Sequence, residues 1–375
     1  MKRASNIYTK IVSESNLMLA IDEVNASHRW THGHKPNRTV LWVESTKQER
    51  VAELRRIIDS GFQPAPPRKR RIYDHAAGKW RDICEPKLYP DQYVHHAVVQ
   101  ALIPEMMRCM DRWCCGSIRR RGIHYGQKAM KKWMKRDCKG TKYALELDIH
   151  HFYDSIQPRY VMDRMRELVK DGRALTLVEM LVRDGIPIGC YFSQWFANTL
   201  LQPLDRMIRE SGLCSHYLRY MDNFTIYGPN KRNLRKLFRL IEQWLKAHGL
   251  QVKGNWQVYR VTPRRLPNAL GYRYGRGYTY LRKSTLLRVR RKLREAYRLV
   301  DRGMQLPHKL AHGMVSRLGQ LKHCNSKHLR ARMIRQNFVR MLKNIIRKHQ
   351  KKEAMEWNTA LQRYMARRFS AGVPA

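Results

Sequence analysis

A chain of 375 residues, 43% apolar and carrying nine Trp, has material for two or three subdomains around a shared core, which excludes a solvated tail. Lys and Arg outnumber Asp and Glu 75 to 30, a net charge of +45 spread along the whole length. That excess implies a polyanionic partner: nucleic acid first, with a basic membrane-surface or ribosome-bound protein as the alternative. The opening "MKRASNIYTKIVSES" has no signal-type apolar run, and no segment approaches roughly 18 apolar residues in a row, so a soluble, cytoplasmic protein without membrane contact is expected.

In chain order, about 15–60 alternates helical patterning with short polar loops, among them "THGHK" with His32 and His34. "GFQPAPPRKRRIYD" is a Pro-rich turn leading into a basic strand, Arg68 to Tyr73, whose "RKRR" suits phosphates. Val94, Ala97, Val98, Ala101 and Leu102 recur at helical spacing. A Gly- and Arg-rich loop and another helix follow. None of the eight Cys forms a C-x-x-C pair, so reduced thiols are expected, with Cys109, Cys114 and Cys115 in a helical, basic region.

Three stretches carry chemistry. In "YALELDIHHFYDSI", alternation puts Leu145, Leu147 and Ile149 on one strand face and Glu146 and Asp148 on the other. In "GIPIGCYFSQWFANTLLQPLD", Gly185 and Gly189 flank a close-approach loop, and Ser193 is a candidate cap for the next helix. "YLRYMDNFTIYGP" reads as a tight hairpin presenting Asp222, with Asn223 at the turn because Asn tolerates positive φ. Were the first and third stretches adjacent strands, two carboxylates would converge as hard oxygen ligands for Mg²⁺.

"ELDIHHFYDSI", "GIPIGCYFSQWFAN" and "YMDN" resemble, in order, the first and second palm motifs and the Y-x-D-D of reverse transcriptases. "RDICEPKLYPDQYVHHAVVQAL" and "GSIRRRGIHYGQKAMKKW" upstream, and "HGLQVKGNWQVYRV" and "LPNALGYRYGRGYTYLRKS" downstream, extend the likeness over about 65–280. It implies an α+β right-hand polymerase fold. An N-terminal segment and fingers would occupy 1–140. A palm with an antiparallel sheet would occupy 141–275, with inserted fingers helices at about 160–215. A basic helical thumb and C-terminal region would occupy 276–375.

The resemblance also implies roles. Asp148 and Asp222 would be catalytic and hold two Mg²⁺ ions, or Mn²⁺, with the Ile149 carbonyl as a third oxygen. Asn223 would offer a neutral oxygen where the family has a second aspartate, and Lys253 would protonate pyrophosphate. Tyr153 would be the bulky gate against a 2′-hydroxyl, and Arg70 and Arg81 would grip the triphosphate. Ile188, Gly189, Ser193 and Gln194 would lie at the nascent pair. Tyr220, Met221, Gly271, Tyr272 and Arg276, the last at the tip of a Tyr-rich hairpin, would contact primer and template. The activity implied is RNA-directed DNA polymerisation from dNTPs, with template RNA and RNA–DNA duplex as partners.

The "I-G-x-x-x-S-Q" form, Ile188 to Gln194, has Gln where most bacterial intron-type enzymes have Pro. It resembles the enzymes of diversity-generating retroelements, which copy a template-repeat RNA with errors at adenines beside a small basic accessory protein. A structured non-coding RNA is a further candidate partner. A phage-defence reverse transcriptase and a catalytically inactive RNA-binding scaffold are the alternatives.

Overall fold

The computed structural model describes residues 2–31, 33–74 and 78–370, so His32 lies outside the described residues. Helices α1 (Ile7–Ile11), α2 (Glu14–His28), α3 (Arg38–Ser45) and α4 (Lys47–Asp59) open the chain. Their polar loops double as caps: Ser13 and Asn37 accept from the Asn16 and Thr39 amides at 3.4 and 3.1 Å. The Pro-rich turn delivers the chain into an antiparallel hairpin, β1 (Arg68–Asp74) and β2 (Lys79–Glu85), as the basic run predicts. α5 (Tyr93–Arg108) and α6 (Ile123–Arg136) follow. Cys114 and Cys115 lie between those helices rather than in one. There Asp111 Oδ1 accepts from the Trp113 amide at 2.7 Å, a local turn that competes with helix.

Next come β3 (Tyr143–Asp148), α7 (Phe152–Ser155), α8 (Pro158–Leu168), α9 (Gly172–Val182), α10 (Tyr191–Leu200) and α11 (Gln202–Glu210). β4 (His216–Tyr220), β5 (Asn223–Gly228), α12 (Lys231–Ala247) and β6 (Gln257–Arg260) complete the centre of the molecule. The four strands form one antiparallel sheet in the order β4-β5-β3-β6. Its two faces sort the side chains. Leu145, Leu147, Tyr217, Phe224 and Ile226 enter a core shared with α1, α2, α4, α5 and α8 to α12. Ala144, Leu218, Tyr227 and Tyr259 turn to the other side. A one-residue slip of β3 would drive Glu146 and Asp148 into the apolar core, so burial fixes the register that aims the acidic side chains outward.

A three-stranded sheet, β7 (Asn268–Ala269), β8 (Tyr272–Tyr274) and β9 (Thr279–Leu281), leads into α13 (Lys283–Asp301), α14 (His308–Leu321), α15 (Lys327–Met333) and α16 (Phe338–Ser370). This is the expected right-hand arrangement of antiparallel palm, flanking helices and basic helical C-terminal part. The expected boundary at 275/276 falls inside the β8–β9 hairpin, whose register pairs Tyr272 with Leu281 and Tyr274 with Thr279. α6, assigned to the fingers, packs Met130, Trp133 and Met134 into the second core with α13, α14 and α16.

α16 runs along α14 and then returns to α3, where Trp357 is buried with Val40 and Leu41. Trp30 meets the Trp357 ring edge-on at 6.2 Å, and the Arg29 guanidinium lies 5.5 Å from its centre. The His34 of the predicted polar loop sits edge-on to His308 at 5.8 Å, and His308 stacks on His349 of α16 at 3.5 Å. Among the described residues no helix is long and apolar enough to cross a membrane.

Candidate active site

Antiparallel pairing sets Asp148 at the end of β3 opposite Asn223 at the start of β5, and the Ile149 amide donates to the Asp222 carbonyl at 3.2 Å. Asp148 at the end of β3 and Asp222 in the turn just before β5 therefore lie side by side, both half-buried. The left-handed residue of the turn is Met221, φ 54°, and not Asn223, which is already extended in β5. Asn223 also does something unforeseen: its Nδ2 donates to Asp222 Oδ1 at 3.0 Å, so the amide orients the aspartate. The Lys253 amide donates to the Asp148 carbonyl at 2.8 Å, and its ammonium stands 3.8 Å from Asp148 Oδ2. Tyr153, half-buried in α7, has its hydroxyl pushed upward by burial and by the Asp222 carboxylate, which keeps it neutral.

A buried network aims the turn. Arg219, fully enclosed, donates from Nε and Nη2 to the two Asp205 oxygens at 2.7 and 2.6 Å. Its Nη1 donates to Asn198 Oδ1 at 2.8 Å and to the Met221 carbonyl at 3.1 Å, one residue before Asp222. Asn198 Nδ2 donates to the Gly116 carbonyl at 2.9 Å, and the Tyr217 hydroxyl donates to Asp205. A Cβ on Gly116 would lie 2.6 Å from the Met221 nitrogen, so only glycine lets this loop back the turn. Burial raises the Asp205 carboxyl, but bidentate contact with a guanidinium that keeps its proton holds the pair ionised. The sequence reading missed this group. Its signal was Arg219 at a strand position whose neighbour Tyr217 faces the core, since a charge placed there needs a buried partner.

The other expected site residues divide. Arg70 pairs with Glu85 at 3.0 Å and Arg81 with Asp74 at 2.8 Å on one face of the β1–β2 hairpin. The Ile188 carbonyl accepts from the Cys84 amide at 2.7 Å, and a Cβ at Gly189, φ 114°, would lie 2.1 Å from the Cys84 carbonyl oxygen. The glycine thus lets β2 dock on this loop. Exposed Gln194 lines a small cavity of about 310 Å³ with Gly189, Arg119 and Tyr191. Ser193 is corrected: it lies inside α10, buried, and donates back to the Pro187 carbonyl at 2.7 Å instead of capping. Tyr272 is buried too, its hydroxyl bonded to the Gln320 carbonyl at 3.0 Å, which makes it a packing residue with one edge on the cleft. Arg276 clamps the hairpin to α6 and the turn after it through the Met134, Cys138 and Thr141 carbonyls at 3.1, 3.2 and 3.1 Å.

Tyr220 and Gly271 line a cleft of about 1020 Å³. Asp148 and Asn223 form its sheet side, while Arg282, Arg288 and Arg317 face them from the helical side. The floor is acidic and the wall cationic. Two carboxylates at rigid strand ends are the hard-oxygen donor set that fits a Mg²⁺-type cation, with Lys253 supplying countercharge beside them.

Residues 68–256, half of the chain, match the family model described as "Reverse transcriptase (RNA-dependent DNA polymerase)". Protein YkfC of Escherichia coli (strain K12) is 25% identical over 191 residues, which span 46% of this chain and 49% of that protein. The chain thus matches about half the length of that curated relative. Two solved structures are also similar. Apo telomerase from Candida tropicalis, truncated from its C-terminal domain, has a TM-score of 0.44 and 13% identity, with 58% of this chain and 56% of that one covered. Telomerase from Candida albicans with the TWJ fragment of telomeric RNA has a TM-score of 0.48 and 12% identity, covering 85% and 67%. With two aspartates at paired strand ends, a loop that receives the fingers hairpin, and a family match running from that hairpin past both aspartates, the chain belongs to the reverse transcriptase family.

Proposed function

We propose that the protein is an RNA-directed DNA polymerase that makes cDNA by nucleotidyl transfer in the cleft between sheet and basic helices. The observation that carries this reading is that the end of β3 with Asp148, on the cleft floor, pairs beside the turn that carries Asp222. Asp148 and Asp222, with the Ile149 carbonyl, are the groups that would hold two Mg²⁺ ions, or Mn²⁺ in their place, and those ions would supply Lewis acidity for nucleotidyl transfer. The protein's own groups position and neutralise. Asn223 holds the Asp222 carboxylate in one orientation. Lys253 stands within reach of the acidic floor and donates the proton that pyrophosphate takes up. Arg70 and Arg81 exchange Glu85 and Asp74 for triphosphate oxygens. Arg282, Arg288 and Arg317 hold the duplex through its phosphates, without reading sequence.

Tyr153 sits beneath Asp222 as the sugar gate. Tyr153→Ala is expected to raise ribonucleotide incorporation relative to dNTP by roughly 10- to 200-fold, read as the ratio of kcat/KM values. An unchanged ratio removes Tyr153 from that role.

Primer extension on an RNA template with Mg²⁺ tests the activity, and wild-type inactivity across templates and metals would leave an RNA-binding scaffold. We further propose the diversity-generating role, supported by the Ile188 to Gln194 motif, with a small basic accessory protein or structured RNA as partner. Sequenced cDNA should then carry errors concentrated at template adenines. Errors spread evenly over the four bases would favour the phage-defence role.

A further inference from the structure

The β1–β2 hairpin has two unlike faces. Register pairs Arg70 with Ile83 and Ile72 with Arg81, and these half-buried residues form one of them. The arginines of that face are the ones assigned above to the triphosphate. The opposite face carries Arg71, Tyr73, Trp80 and Asp82, all exposed. Trp80 is 57% exposed and Tyr73 42%, among the largest apolar exposures in the protein. They are cross-strand partners with ring centroids 5.3 Å apart, and the Arg71 guanidinium lies 5.7 Å from the Trp80 ring centre. Asp82 stands 3.8 Å from Arg71, and both are well exposed, so this ion pair is weak and leaves the guanidinium available.

Trp80 leaves more than half of its surface in water beside the edge-on Tyr73 ring, and that is costly unless something covers it. Charge selects the occupant. The same hairpin carries Arg68, Lys69 and Arg71 exposed, so a polyanion with flat apolar rings fits, and a neutral apolar partner does not. The platform is also held at a fixed place. β2 is pinned to the second palm loop by the Cys84–Ile188 bond of 2.7 Å, and Trp80 lies four residues before Cys84, about 13 Å along the strand.

We propose that Trp80 and Tyr73, with Arg71, form a stacking platform for unpaired RNA, the single-stranded template on its way to the cleft. The assignment of that RNA as template rests on the polymerase reading, but the binding of unpaired RNA does not. Two measurements separate them. The first is equilibrium binding of a fluorescent single-stranded RNA to full-length protein. Trp80→Ala should weaken it roughly 5- to 150-fold, Trp80→Phe should restore most of it, and Arg71→Ala should weaken it further at low salt. Equal affinity of wild type and Trp80→Ala overturns the platform whether or not the protein polymerises. The second compares primer–template duplexes with one and with about ten unpaired template nucleotides. Trp80→Ala should raise KM for the long overhang and leave the short one unchanged, with kcat unaltered. An equal change in both overturns the template assignment. Because Trp80 is exposed, the variant should melt with wild type, which excludes misfolding as the cause.

Discussion

Asp148→Ala and Asp222→Ala each lower primer extension by roughly 100- to 1000-fold or more while leaving the protein folded. The loss follows from the donor set. Each aspartate is one of two carboxylates at the paired strand ends, and the neighbouring Asn223 adds no charge to replace a missing one. The stability half of the result is as specific. Both carboxylates are half-buried, near each other and alike in charge, so removing one relieves repulsion that outweighs the loss of the exposed Lys253 contact or the Asn223 bond. Melting temperatures of the two variants should equal or exceed that of wild type, the mark of a site held at some cost to the fold. Asn223→Asp provides the contrast. It supplies the missing carboxylate and removes the amide donor to Asp222, so extension persists and half-maximal activity moves to lower Mg²⁺. Extension that survives in either alanine variant would displace these residues from the chemistry.

Arg219→Met should be the most damaging single change outside the reacting groups. It leaves the fully buried Asp205 without its guanidinium, at a cost of about 3–5 kcal/mol. Burial already raises the Asp205 carboxyl, and without Arg219 it rises further. The protonated form is then tolerated and the ionised one is not. The penalty should therefore be smallest below about pH 4, where unfolded Asp is also protonated, and should grow as pH rises toward neutrality. Thermal unfolding across that range checks the sign. A second variant separates stability from aim. Arg219→Met with Asp205→Leu and Tyr217→Phe replaces the ionic cluster by apolar groups and should recover most of the melting temperature. It still lacks the donor to the Met221 carbonyl and to Asn198, so kcat should stay at least about tenfold low. Full recovery of rate in that variant would make the cluster structural only.

What could be read from residues was what is local or periodic. Alternation in "ELDI" placed Asp148 on the outward face, and the order of three short motifs placed it against Asp222 across β3 and β5. Tertiary partners escaped. Ser193 looked like a cap because nothing in its neighbourhood says that Cys190 occupies the cap position. Arg276 looked like a phosphate contact because its carbonyl partners lie about 135 residues earlier in the chain. Asn223 reads in sequence as half of a lost acidic pair, because no local pattern shows its amide steadying Asp222. Nor does any local pattern show that α6 and the β8–β9 hairpin share a core assembled from distant segments.

α16 is fastened at both ends, by Leu342 in the core with α14 and by Trp357 against α3. The fifteen helical steps from Leu342 to Trp357 measure about 22 Å. Such a rod acts as a ruler with a phase. Adding one residue between the anchors would turn Trp357 by about 100° away from Val40 and Leu41, whereas adding seven would nearly restore its direction and set the two sides about 10 Å further apart. Related chains that keep this double attachment should therefore vary the helix by near-whole turns, and the distance between α3 and α14 would change with each step.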